Sequence, residues 1–139
     1  MASLIYDSFM DDLCKGNIVP SSDTFYGMLV TSSYTPSKGS DTKRSNVTNE
    51  TSGTGYTAGG TSVAVTLTSD TTLHKETIAF ADAVWTSSSI TAAAIVVYKH
   101  RGGLSSADNL VCYGDFGGSV TTSSGTFTAH NSTAIAITN

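Results

Sequence analysis

Three histidines, eleven acidic side chains and two cysteines are the residues of this chain whose chemistry could reach beyond packing. His74, His100 and His130 stand apart from one another, and none lies in a His-Glu-x-x-His motif or at ligand spacing from a Cys or another His. Each reads as a surface or strand-end residue. Asp11 and Asp12 are neighbours on a helical segment, where adjacent side chains point about 100° apart and do not share a site. They read as solvated helix acids. Asp115, beside Phe116 and Gly117, reads as a partly buried carboxylate bonded to a turn. Cys14 and Cys112 read as two buried thiols acting as small hydrophobes, and a disulfide between them is left open by the sequence. The stretch Gly53-Thr-Gly-Tyr-Thr-Ala-Gly-Gly60 looks like a phosphate loop but lacks the Gly-Lys-Ser/Thr ending. It reads as a turn-rich connection with glycines at positive φ. These residue types in this pattern lead to no catalytic residue, no metal ligand and no cofactor, and the chain is not expected to be an enzyme.

The elements that would position such groups follow from composition and periodicity. The chain has 139 residues, of which 39% are hydrophobic and only 13% charged, about half the usual charged share. Ser and Thr fill the gap at roughly three residues in ten. Apolar residues in short runs, separated by Ser, Thr and Gly, predict many short strands in one domain over 1–139. The net charge of −4 and a mere seven Lys and Arg argue against a nucleic-acid partner. No apolar run is long enough to span a bilayer as a helix, so no membrane partner is expected. The N-terminal residues lack a basic region followed by an apolar stretch, which reads as no secretory signal.

Within 1–16, residues 3–15 predict an amphipathic helix. Ile5, Phe9 and Leu13 recur every four residues, Tyr6 and Met10 widen the stripe, and Gly16 supplies the stop. Asp11 and Lys15 have the spacing of a helical ion pair. Thr24–Thr31 predicts an interior strand, apolar on both faces. Residues 32–60 predict a long irregular loop, with extended pieces near Ser45–Glu50. Further strands are expected at Thr61–Thr68, Leu73–Ala81, Ile90–Lys99, Asn109–Phe116, Val120–Thr122, Thr126–Ala129 and Thr133–Thr138. Ile90–Lys99 should be central, and Ser123-Ser124-Gly125 should be a hairpin-type turn. Trp85 should pack at the core edge. About eight strands with one N-terminal α-helix give an all-β sandwich.

Several blocks of sequence, taken in order, carry a resemblance. They are Tyr6-Asp-Ser-Phe-Met-Asp-Asp-Leu13 with Gly16, and Asp23-Thr-Phe-Tyr-Gly-Met-Leu-Val-Thr31. Lys43-Arg-Ser-Asn-Val-Thr-Asn-Glu50 and Gly53–Gly60 follow, then Trp85, Ile90-Thr-Ala92, Tyr98-Lys99, Asp115-Phe-Gly117 and Gly125-Thr-Phe127. This pattern resembles a family of small proteins encoded near the head genes of tailed bacteriophages. Some of them are similar to the jelly-roll cement, or decoration, proteins on the outer surface of an HK97-type capsid shell. The similarity spans nearly the whole chain, and residues 100–108 and 117–125 depart most from it.

The resemblance implies a jelly-roll-like fold and a structural role on the virion's outer capsid surface, for a protein made in the bacterial host cytoplasm. It implies two partners: the major capsid protein, and the chain itself as a homodimer or homotrimer. Candidate interface residues are Leu4, Tyr6, Tyr34, Lys43, Arg44 and Tyr56, drawn from the helical segment and the irregular residues 32–60. Core packing competes with an interface role for each. The alternative function is a β-sandwich module of a phage tail or fibre that binds a host glycan, for which Tyr34 and Tyr56 would be the exposed aromatic residues.

Overall fold

The computed structural model describes residues 2–131 and 134–139; Met1 and the first residue of the last expected strand, Thr133, lie outside them. The fold is an all-β sandwich with one short helix. In chain order the elements are β1 (Leu4–Ile5), α1 (Asp7–Lys15), β2 (Phe25–Val30), β3 (Thr61–Val63), β4 (Val65–Asp70), β5 (Lys75–Phe80), β6 (Ala83–Ser88), β7 (Thr91–Lys99), β8 (Leu110–Thr121), β9 (Gly125–Ala129) and β10 (Ile135–Thr138). All strand pairs are antiparallel. A five-stranded sheet runs β1-β8-β7-β2-β3, and facing it lie a three-stranded sheet, β10-β5-β4, and the pair β6-β9.

The β-branched run Ile95-Val96-Val97 puts β7 in the middle of the large sheet, where residues 92–98 are all buried. Alternation then sorts the side chains. Phe25, Leu29, Ile95 and Val97 face the smaller sheets, meeting Ile78, Phe80, Trp85, Phe127 and Ile135. Phe25 and Phe80 pack edge to face at 5.3 Å, and Trp85 meets Phe127 the same way at 6.1 Å. On the opposite face Met28, Val30, Ala94, Val96 and Tyr98 form a second apolar layer with Tyr6 and Tyr34. Burying an aliphatic side chain of this size is worth about 1.5–3 kcal/mol, so both faces must be covered.

The covering of that second face is the work of residues 32–60. They are irregular, as their composition predicts, with single bridges Val30–Glu50, Lys43–Asn109 and Thr54–Ser89, but Ser45 and Asn46, expected as extended chain, lie in a 3-10 turn at Arg44–Asn46. Gly60 lets this arm return to the sheet. It adopts φ +82°, and a Cβ there would lie 1.9 Å from the carbonyl oxygen of Gly27.

Several boundaries differ from the sequence reading. The helix begins at Asp7, because Leu4 and Ile5 pair with Tyr113 and Cys112 at the sheet edge. The shortened helix buries Phe9 and leaves Met10 53% exposed. Gly16 ends it at φ +73°, and Lys15 pairs with Asp11 at 2.8 Å on the surface. Asp12 is not solvated: it is buried and accepts hydrogen bonds from Asn109 Nδ2 (2.7 Å) and Asn17 Nδ2 (2.9 Å). The run Thr61–Thr68 is two strands, divided at Ala64, where the chain crosses from the large sheet to the small one. β6 was not expected as a strand. β8 continues through Gly117-Gly118, and residues 116–119 bulge out between the pairs Ala94–Asp115 and Ala92–Val120. Ser123-Ser124-Gly125 is not a hairpin, since β8 there pairs with β7 and β9 pairs with β6. Both cysteines are free thiols; Cys14 is exposed, and only Cys112 is buried.

A polar cluster ties the end of β7 to the segment after the helix. Lys99 Nζ reaches Asp23 Oδ2 at 2.8 Å and the carbonyl of Asn17 at 2.7 Å, and Val19 N–H donates to the same Asp23 oxygen at 2.6 Å. Burial alone would raise the Asp23 pKa, but the hydrogen bonds from Lys99 and Val19, with the charge of Lys99, lower it below the ordinary carboxylate value. A carboxyl depressed in the folded state adds stability above its unfolded pKa of about 3.9, and that stability is lost as pH falls through the folded value. Urea titrations from pH 6 downward are therefore expected to show a steeper acid loss for the native chain than for Asp23→Asn. Equal slopes below about pH 4 would refute the assignment.

Candidate interaction surface

The arm 32–60 holds most of the candidate interface residues, and each is tied to the sheet beneath. Tyr34 donates to Asp41 Oδ2 at 2.8 Å, which leaves its oxygen to accept from the Tyr6 hydroxyl at 2.9 Å. Tyr6 is fully buried and Tyr34 nearly so. Burial, then the bonds to Tyr6 and Asp41, push the Tyr34 phenol far above its ordinary range. Both tyrosines are pillars between arm and sheet, so neither is a surface anchor, and Tyr34 is not open to a glycan. Leu4 is half-buried in β1 against the same apolar layer.

Tyr56 pins the arm's far end. Its hydroxyl accepts from Leu29 N–H at 3.0 Å and donates to Glu50 Oε1 at 2.7 Å, while Gly59 N–H donates to that same carboxylate oxygen. Its ring sits 5.6 Å from Trp85. Burial and the Glu50 carboxylate raise its pKa well out of the physiological range. Tyr98, rising from β7, donates to the carbonyl of Gly59 at 2.7 Å, and burial pushes its phenol up to about 12.

Lys43 and Arg44 part company. Lys43 bridges Asn109 through its backbone and is half-exposed. Arg44 turns inward: Nε donates to Asp108 Oδ2 at 2.8 Å, and the guanidinium lies 5.1 Å above the Tyr98 ring. Asp108 is buried, and its other oxygen accepts from Arg101 N–H at 2.9 Å. Arg101 Nη2 then reaches Asn109 Oδ1 at 3.1 Å. Sequence reasoning missed this network of Asp12, Arg101, Asp108 and Asn109. The signal available was the Asp108-Asn109 pair opening an apolar strand, since polar side chains placed there need internal partners.

The outward side of the arm is made of Ser45, Asn46, Thr48, Asn49, Ser52, Thr54 and Thr57, all exposed. It borders an open groove of about 390 Å3 lined by Thr31, Glu50, Thr51, Ser89, Thr91 and Thr121. Hydroxyls there bond to one another or to backbone: Thr91 and Thr121 meet at 2.9 Å, and Thr51 donates to the carbonyl of Thr91.

Among the described residues, the remaining histidines and cysteines stand apart from one another. His130 Nδ1 contacts Asp82 Oδ2 at 2.7 Å, but the imidazole is 75% exposed. The bond to His130 holds the Asp82 carboxyl below its ordinary pKa. Cys112 is sealed in the interior, where burial pushes its thiol up to about 12, so it is not a thiolate at neutral pH. His74 is exposed in a turn at φ +49°, and His100 follows β7, stacked on Tyr26 at 3.9 Å. Asp115 accepts from Gly117 N–H at 2.9 Å, a local bond as its sequence context predicts, but within the bulge of β8 and not in a turn. Among the described residues no group of three or more His, Cys, Asp or Glu is placed to hold a metal ion. No helix among them is long and apolar enough to cross a membrane.

Fold and surface together define a small antiparallel β-sandwich with a strapped outer face. The chain matches no protein-family model, no curated protein and no solved structure.

Proposed function

We propose that this chain is a structural virion protein, a cement protein that binds the outside of a tailed-phage capsid shell and stabilises it. Its partners are the major capsid protein and further copies of itself. The observation that carries this reading is the strapping of residues 32–60. A long irregular segment is held at Tyr34 by Tyr6, at Arg44 by Asp108, at Tyr56 by the Leu29 amide and at Gly59 by Tyr98, so its polar outer side is a preformed surface. Binding through a preformed surface avoids the entropy of ordering a loop at the moment of contact. A contact repeated around a shell can then reinforce it even where each copy binds weakly, and a subunit touching two capsid proteins gains avidity. The Ser, Thr and Asn side chains of the arm suit hydrogen-bonded, wet contacts. The order of the sequence blocks, with Lys43–Glu50 and Gly53–Gly60 falling in this same arm, supports the same reading.

The test is where the chain sits in purified particles. Mild stripping of heads is expected to release it and to lower the temperature at which they rupture, and adding it back should restore that temperature. Recovery of the chain solely from tails would overturn the proposal and favour the glycan-binding module.

A further inference from the structure

The inner face of the sheet β4-β5-β10 continues past the place where the core ends. In one row across it stand Leu67, Ile78 and Ile135. Ile78 and Ile135 are 3% and 2% exposed, whereas Leu67, on the outermost strand, is 41% exposed. β4 pairs with β5 in unbroken register over its six residues, and no described strand pairs with its other edge. Natural edge strands are guarded by Lys, Pro, a bulge or a covering element. β4, Val65-Thr-Leu-Thr-Ser-Asp70, has no Lys, no Pro and no bulge, and its sole charge is at the end. An unguarded row of backbone donors and acceptors beside an exposed leucine is a pairing surface.

We propose that β4 pairs antiparallel with β4 of a second copy of this chain, about a two-fold axis at Leu67. The two small sheets then become one continuous sheet. Self-pairing is favoured by what the strand presents to itself. Side chains alternate between faces, so only registers that keep the inner faces together are allowed. The register centred on Leu67 sets Leu67 beside the second copy's Leu67 and completes the apolar row. It sets Thr66 against Thr68, a favourable cross-strand pair, and Val65 against Ser69. The two Asp70 carboxylates fall at opposite ends, so the one charge on the strand does not meet its like. Neighbouring registers that keep the faces set Leu67 against Ser69 or Val65 and leave the leucines apart. Such a two-fold contact is isologous and closes on itself, giving a dimer rather than a filament.

This pairing does not rest on the shell reading, and its test needs no shell. Sedimentation of the purified full chain, from low micromolar to near-millimolar concentration, is expected to show a reversible dimer. Leu67→Lys, at a site already exposed in the single copy, should weaken association about tenfold or more without changing the melting temperature of the dilute protein. In a Cys14→Ser background, Leu67→Cys should cross-link between copies on mild oxidation much faster than Ser69→Cys, which faces Val65 in this register. A monomer at every concentration, a dimer indifferent to Leu67→Lys, or equal cross-linking at 67 and 69 would overturn the proposal. A monomer that binds another protein's strand through β4 would do the same and assign the edge to a foreign strand. None of these results bears on whether the chain is found on heads.

Discussion

Replacing Arg44 with alanine is expected to cost this protein about 3–5 kcal/mol, much of an ordinary domain's stability. The Asp108 side chain has no solvent exposure and spends one oxygen on Arg44 Nε at 2.8 Å and the other on the Arg101 amide. Truncating Arg44 leaves that carboxylate charged and buried with a single neutral donor. Water can reach the site only partly, because the arm's own backbone, Arg44 N–H to the Asp108 carbonyl, stays in place at 2.9 Å. The contact of the guanidinium with Tyr98 is lost as well, about another 0.5–1 kcal/mol. Urea unfolding of the variant should show a lower midpoint, and Asp108→Asn in the Arg44→Ala background should recover part of the loss by removing the stranded charge. A loss below about 1 kcal/mol, the range of surface ion pairs, would mean that water replaces the guanidinium there.

Gly60→Ala should have an effect of similar size for a steric reason. At φ +82° an L side chain costs about 1–2 kcal/mol before any contact is counted. The added methyl would also meet the Gly27 carbonyl oxygen at 1.9 Å and Met28 Cα at 2.8 Å, and both are backbone atoms of β2. Neither can move without opening the β2–β3 ladder, which begins at the pair Gly27–Thr61. A total of about 3–5 kcal/mol is expected. Gly102→Ala provides the comparison: φ is +79°, but nothing lies within 4 Å of the new methyl. That variant should lose only the conformational part. If the two variants melt at the same temperature, the close approach of arm and sheet at Gly60 is refuted.

The strands with strong periodicity could be read because their side chains answer a local question. Phe25–Val30 and Thr91–Lys99 are short runs apolar on both faces, a pattern and length that suit an interior strand. Ala83–Ser88 was missed because it is short and its outward residues, Thr86 and Ser87, look like a turn; its partner β9 lies about forty residues further along the chain. The division at Ala64 was illegible for a related reason. The alternation of Val63, Val65 and Leu67 is unbroken in sequence, and only the sandwich's two layers require the chain to change sheets there.

The candidate surface shows the same limit. Tyr6, Tyr34 and Tyr56 stand out in segments that read as helix face and loop, so they look available for contact. Tyr6 and Tyr34 are instead consumed by the second face of the large sheet, and Tyr56 packs at the edge of the core between the sheets, beside Trp85. A clue existed: Met28 and Val30 needed a cover distinct from the one over Phe25 and Leu29, and residues 32–60 are the longest segment without a strand of its own.

By itself the sequence determined an all-β chain with one helix, a central β7, a helix stop at Gly16 and turns that need glycine, because each depends on side-chain alternation or on one residue's backbone freedom. Tertiary structure alone decided which strand pairs with which and that the arm straps the sheet. It also put Asp12 and Asp108 inside and left the outer edge of β4 without a partner strand among the described residues. Those outcomes depend on contacts between residues far apart in the chain, and local pattern carries no record of which distant surface will come to cover it.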